Sequence, residues 1–214
     1  MSATHTADPV EPAGSVAPVE TAESLPPPAP GAEDHLALDF VNSALVLPGR
    51  HSVDLLDTPG RTNRWLTAHG LAPADAGVQE VCAARLRTLR EHVRALFDAH
   101  VRGTPAPPVA LSAVNDALTG APAAALLYWS EERGPYRAAL CPTDEILARA
   151  LATLAANAAD LLTGPDADRL TSCGSTPCTR YLLRHGRRHW CSTRCGDRAR
   201  AARAYARRTQ SNAG

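Results

Sequence analysis

The chain has 214 residues, 44% of them hydrophobic but only 4% aromatic, enough for one ordinary domain with a small appendage. No stretch of about 18 successive apolar residues occurs, so the sequence predicts no membrane-spanning helix and no membrane partner. The net charge of zero is a cancellation: residues 1–168 hold 21 acids against 11 arginines, and residues 169–214 hold 11 arginines against one acid, Asp197. Such asymmetry fits a small basic module that binds a polyanion beside a body with another task. Docking of the acidic body on its own basic end is the alternative.

Residues 1–33 are rich in Pro, Ala and Glu and lack any aromatic residue. They have neither the basic nor the apolar stretch of a secretory signal, and too little apolar surface to offset chain entropy, so a disordered tail is expected. Next comes "HLALDFVNSALVL", an apolar run interrupted by Asp39 and Asn42. The segment "DLLDTPGRTNRWLTAHGL" reads as a turn and a short helix, with Trp65 and Leu66 inward and a stop at Gly70. In "GVQEVCAARLRTLREHVRALFDAHV", Val81, Leu86, Leu89, Val93, Leu96 and Phe97 recur at helical spacing, with Arg85, Arg87, Arg90 and Arg94 mostly off that face. "GTPAPPVA" ends this helix, and "LSAVNDALTG" is a short one.

The period then changes. "AALLYWSEERGPYRAALCP" predicts two strands about a Gly-Pro turn, the one convincing hairpin of the chain. "TDEILARALATLAANAADLL" is helical again, with Thr143 suited to the N-cap, Asp144 and Glu145 to the positive end, and Ile146, Leu147, Ala150, Leu151, Leu154, Leu161 and Leu162 forming a stripe. "TGPDAD" opens a linker.

Four of the six cysteines follow, spaced Cys173-x4-Cys178-x12-Cys191-x3-Cys195. Two close pairs separated by a loop place four thiolates around one tetrahedral zinc ion. Clustered thiols without a secretory signal point to metal in a reducing compartment, hence a cytoplasmic location, and not to disulfides. The segment has little apolar mass besides Tyr181, Leu182, Leu183 and Trp190, so a metal staple worth roughly 10–16 kcal/mol is needed to fold it. One structural Zn2+ per chain is expected, its shell filled by Cys173, Cys178, Cys191 and Cys195, with His185 and His189 surplus. Cys82 and Cys141 read as buried hydrophobes.

After Cys195 the sequence predicts a basic helix beginning at Asp197. At about 100° per residue, Arg200, Arg203 and Arg207 share a stripe roughly 60° wide, with Ala201, Ala202 and Tyr205 on the other side against the metal loop. Arginine forks onto phosphate and reads guanine edges. The expected nucleic-acid contacts are therefore Arg198, Arg200, Arg203 and Arg207, assisted by Arg187 and Arg188.

"RRHWCSTRCGDRARAARAYARR" resembles the signature of the CGNR zinc-finger family, and "HLALDFVNS…RWLTAHGL" resembles the start of the ABATE domain that precedes it in bacterial proteins. The resemblance runs from about residue 34 to 208. It implies a stress-related transcription regulator that binds DNA, with Cys173, Cys178, Cys191 and Cys195 as the metal ligands. Gly196 and Arg198 match the family's letters, whereas Asp197 stands in place of its asparagine.

The expected fold class is mainly α with a small β-hairpin, α+β being the second choice. The expected divisions are a tail over 1–33, a helical regulatory domain over 34–165 able to fold alone, a zinc finger over 166–208 ending in a basic helix, and a disordered end over 209–214. Asp39 and Asn42 are candidates for a buried polar network or an effector pocket, since polar groups inside an apolar run need partners. No phosphate loop, nucleophile elbow or paired metal-binding histidines occur, so no enzyme is expected. Double-stranded DNA is the expected partner, with a small-molecule effector and a homodimer as further candidates. A zinc-stabilised protein-interaction module, or an RNA-binding protein, is the alternative.

Overall fold

A computed structural model of the chain describes residues 26–46, 52–121, 126–138, 145–186 and 188–211. Over that span it is mainly helical, with three two-stranded antiparallel sheets among the described residues. The elements run α1 Leu36–Val41, β1 Ala44–Val46, β2 Ser52–Asp54, α2 Pro59–Ala68, α3 Glu80–Arg102, α4 Pro108–Thr119, β3 Leu126–Ser130, β4 Gly134–Ala138, α5 Ile146–Thr163, β5 Leu170–Ser172, β6 Tyr181–Leu183 and α6 Thr193–Ser211.

The long helices follow their stripes. On α3, Leu86, Leu89, Val93, Leu96 and Phe97 are buried, and on α5 so are Ala150, Leu151, Leu154, Ala155, Ala158 and Leu161. Trp65 and Leu66 of α2 join them, behind a Thr58 cap whose hydroxyl accepts from the Arg61 amide at 3.3 Å. Val81 departs from the expectation: it lies in the first turn of α3 and is exposed. α5 is long and apolar enough to cross a bilayer by length and composition, but six of its side chains are buried in the core it shares with α1, α3 and α4.

Arg90 also departs from its expected place. It is 3% exposed, and its guanidinium holds Asp54 through two bonds of 2.6 and 2.7 Å and the Ser43 hydroxyl at 3.0 Å. The β1–β2 hairpin lies over that flank of α3, so a position off the apolar stripe becomes interior. The predicted hairpin forms as β3–β4, but its turn is Glu131–Arg133, and Gly134 and Pro135 already pair with Ser130 and Trp129. Leu127 and Trp129 on it are exposed. The other two strand pairs have only three residues per strand, too short to show a period. Cys82 is half-buried, not fully buried as expected. Cys141, the Thr143 cap and Asp144 lie outside the described residues.

Residues 26–33 do not behave as tail. Ala29 is fully buried, the Leu183 amide donates to Pro30 O at 2.8 Å, and Arg180 donates to Pro27 O at 2.8 Å. Gly31 makes this path possible: its φ is +91°, and a Cβ there would sit 2.5 Å from Leu183 Cγ. Only glycine tolerates both conditions.

The body and the cysteine segment are likewise joined more tightly than expected. Strand side chains alternate, and every residue of β6 is buried. Tyr181 and Leu183 belong to the main core with Leu170, whereas Leu182 belongs to a second cluster with Ala29, Cys173, Cys191 and Cys195. Around this shared strand Arg94 donates to Val41 O and Thr179 O, His100 pairs with Ala167 O, and His35 with Asp166. β6 thus contributes side chains to both clusters.

Candidate metal centre

Cys173 follows β5, and its amide continues that pairing by donating to Arg180 O at 2.8 Å. The turn to Cys178 closes with its amide on Ser175 O at 2.8 Å, and the Gly174 amide donates to His189 O at 3.0 Å. The second pair is built on a helix start. The Ser192 hydroxyl accepts from the Cys195 amide at 3.2 Å, an N-cap onto the first turn of α6. Cys191 stands just before the cap and Cys195 just after it.

The four thiol sulfurs all lie within 4.8 Å of one another, with Cys178 to Cys191 at 3.7 Å and Cys191 to Cys195 at 3.6 Å. A tetrahedral zinc with Zn–S of about 2.3 Å separates its sulfurs by about 3.8 Å. A disulfide needs about 2.05 Å, so the arrangement is that of ligands around an ion. Left to themselves, the thiols cannot all shed their protons. Cys173 falls to about 2, held as thiolate by S–H donation from Cys178 and Cys191. Cys178 is pushed up, and Cys191 up to about 11, chiefly by hydrogen bonding with neighbouring sulfurs, Cys173 foremost. A bound divalent cation removes that conflict. With four protein ligands the shell is closed, and such an ion is structural. His185 instead meets Arg169 Nη2 at 3.1 Å, and His189 sets its ring against Trp190.

α6 starts at Thr193, inside the knuckle, four residues earlier than expected. Its orientation differs too. Ala201, Ala202 and Tyr205 are exposed, Tyr205 at 72%. Trp190 is what meets the helix, its ring under the guanidiniums of Arg200 and Arg203 at 5.9 and 5.6 Å. Gly196 explains the fit: a Cβ there would stand 3.3 Å from the Trp190 ring. The helix is rooted through its first turn, and from Ala201 to Gln210 it is exposed apart from half-buried Ala204. A helix so anchored has no need of an apolar face.

The predicted contact residues therefore divide. Arg200 and Arg203 are exposed over Trp190, Arg200 also pairing with Asp197, and Arg207 is exposed one turn farther on. Arg188 is exposed with its Nε on Trp190 O at 3.2 Å. Arg187 lies outside the described residues. Arg198 is half-buried, turned toward the cysteines, with Nη1 enclosed. Asp39 and Asn42 have separate partners. Asp39 pairs with His69 Nε2 at 3.4 Å, and buried Asn42 bonds the Tyr181 backbone through both its amide atoms at 2.9 Å. Ser192 and Arg180 are not singled out by sequence, although a serine three residues before Cys195 is an N-cap spacing.

Comparison with known families gives two matches. The ABATE family model, described as "Putative stress-induced transcription regulator", matches residues 34–165. The model of the CGNR zinc finger matches residues 169–208. No match was found among curated proteins. The first match spans the helical body, and the second spans β5, β6, the four cysteines and most of α6: the chain belongs to the ABATE family and carries a CGNR zinc finger at its C-terminal end.

Proposed function

We propose that the protein is a DNA-binding regulator in which one zinc ion, held by Cys173, Cys178, Cys191 and Cys195, sets the root of α6, and α6 presents its arginines to duplex DNA. The observation that carries this is the exposed arm from Arg200 to Gln210, which holds four arginines and no acid. Arg200, Arg203 and Arg207 lie on one side of it, with Arg188 beside the root and Arg187 in the same loop. Trp190 holds Arg200 and Arg203 by cation–π contact, so less side-chain freedom is lost on binding. The reading is non-enzymatic, and the reducing cytoplasm suits the four thiolates.

The body serves effector sensing or dimerisation. An open groove of about 400 Å³ between α3, α4 and α5, lined by Val81, Leu89, His92, Asp116, Ala117 and Leu151, offers space for a small molecule. Neither Asp39 nor Asn42 lines that groove.

The deciding experiment is a salt-titrated binding assay on random duplex DNA, genomic DNA and single-stranded RNA. If about five phosphates are neutralised, log K falls with log salt at a slope near −4.5, and a fourfold rise in salt weakens binding roughly 500-fold. An Arg200→Ala/Arg203→Ala/Arg207→Ala variant is expected to bind far more weakly. Salt-insensitive binding, or a triple variant equal to wild type, would favour a protein-interaction role instead. Preference for RNA would retain the charge argument and remove the transcriptional one.

A further inference from the structure

Two guanidiniums stand against the cysteine cluster with no carboxylate to answer them. Arg180 is 5% exposed; its Nη2 donates to Pro27 O, while Nε and Nη1 are buried without an acceptor. Arg198 is half-buried, and its Nη1 is likewise enclosed and unanswered. Both line one small cavity of about 50 Å³, whose wall includes Cys178, Cys191 and Cys195. Among the described residues no ion pair involves either arginine.

Burying an unpaired cation is among the costlier things a fold can do, and buried N–H donors are nearly always answered. Thiol groups give no reason for two such cations here. Four thiolates around one divalent ion do: the set carries a net charge of −2, and two guanidiniums carry +2. A second anion in the cavity would instead add negative charge beside the thiolates. A water molecule would accept a hydrogen bond but neutralise nothing.

We propose that Arg180 and Arg198 are positioning residues of the metal site, donating N–H hydrogen bonds to its thiolates and cancelling their excess charge. This rests on the zinc reading above. It also removes Arg198 from the nucleic-acid contacts and makes it a strut between α6 and the ion. Arg194 lines the same cavity but is exposed, and remains available to a partner. The two struts come from opposite sides: Arg180 precedes β6, and Arg198 follows the first turn of α6. Their shared anion therefore holds the helix root to the strand that enters the body.

The test uses the full-length zinc-loaded chain with Arg180→Met, Arg198→Met, Arg198→Lys and, as a control, Arg203→Ala. Outer-shell substitutions cost about 10–100-fold in metal affinity. Competition with a chromophoric chelator is expected to show that loss for both methionine variants, a smaller one for Arg198→Lys, and none for Arg203→Ala. Alkylation of the zinc-bound thiolates is expected to speed up about tenfold in the methionine variants, because sulfurs deprived of donors are more nucleophilic. A Leu154→Ala variant, in the core of the body, controls for simple loosening and is expected to show no such gain. If Arg180→Met fails to fold, wild-type protein loaded with spin-active cadmium serves: NMR is expected to show coupling between the metal and guanidinium protons. Equal zinc release and equal alkylation in wild type and both methionine variants would overturn the proposal, as would absence of that coupling from both arginines. A DNA salt slope lowered by about one in zinc-loaded Arg198→Met would also overturn Arg198's part, by assigning it to a phosphate. Wild-type protein that binds no zinc would remove the metal reading itself, which these other outcomes leave standing.

Discussion

The side-chain amide of Asn42 takes the place of a neighbouring strand for Tyr181. Its Nδ2 donates to Tyr181 O and its Oδ1 accepts from Tyr181 N, both at 2.9 Å and both buried. An amide is the side chain that offers one donor and one acceptor in the geometry of a peptide group. Asn42→Ala leaves two buried backbone groups without partners and is expected to cost about 2–4 kcal/mol in urea unfolding. Asn42→Asp sets a carboxylate oxygen against Tyr181 O and is expected to cost at least as much. Wild-type stability in either variant would show that the contact is dispensable.

Gly31 tests whether residues 26–33 belong to the fold. Gly31→Ala combines a left-handed backbone with a Cβ inside Leu183, so a loss of about 2–3 kcal/mol and faster zinc release are expected. Truncation before Pro26 is expected to leave both properties unchanged, while truncation before Asp34 should impair both. Equal behaviour of the two truncations would return these residues to the tail.

The Arg90–Asp54 pair is unequal in burial, and the two halves should fail unequally. The Arg90 side chain is 4% exposed against 29% for Asp54. Asp54→Ala leaves a buried cation with only the exposed Glu91 carboxylate and the Ser43 hydroxyl and is expected to cost about 2–4 kcal/mol, whereas Arg90→Met leaves a carboxylate that water still reaches and should cost about 1–2 kcal/mol. Burial pushes the Asp54 carboxyl up, but hydrogen bonds from Arg90 and the Leu56 amide, with the charges of Arg90 and Arg87, hold it below 3.8. Its contribution is thus full above the unfolded-state value and lost as pH falls through the lower folded one. Acid unfolding of Arg90→Met is expected to begin at higher pH than that of wild type.

His69 shifts the other way. Burial alone lowers its pKa, but the Asp39 carboxylate, accepting from its ring, raises it above 6.5 overall, with the Trp65 carbonyl assisting. The stability it adds is complete below 6.5 and disappears as pH rises through the folded value. Its ring stacks on Trp65 at 4.1 Å, so Trp65 fluorescence should follow the proton, with a midpoint that Asp39→Asn moves down. A midpoint indifferent to Asp39 would refute the coupling.

Metal removal should be felt beyond the cysteines. Because β6 serves both clusters, chelation is expected to expose residues 26–33 and the knuckle first, and also to lower the thermal midpoint of the body. Hydrogen exchange with and without chelator reads both. Protection that stays unchanged on α3 and α5, with the midpoint unmoved, would mean that the body stands alone after all.

The parts of the fold that repeat locally could be read in advance. Leu86, Leu89 and Val93 on α3, or Leu151 and Leu154 on α5, declare their helices by spacing alone, and the four cysteines declare their site in the same way. Arg90 could not be read so, because its burial depends on a hairpin brought over α3 from another part of the chain. Three-residue strands show no period, and Pro26–Glu33 has the composition of a tail although a glycine path seats it against Leu183. The α6 expectation failed for a further reason. An amphipathic face was sought where the helix is held by its root, through Ser192, Cys195 and Gly196 against Trp190.

That mode of attachment makes α6 a lever. Nineteen residues extend about 28 Å, so a tilt of roughly 10° at the root swings the tip by about 5 Å, more than the 3.4 Å between successive nucleotides along a DNA strand. Substitutions around Trp190 and Gly196 should therefore change where the distal arginines land without altering a single one of them. The aim of the arm is set in the knuckle, and its grip is set at the far end.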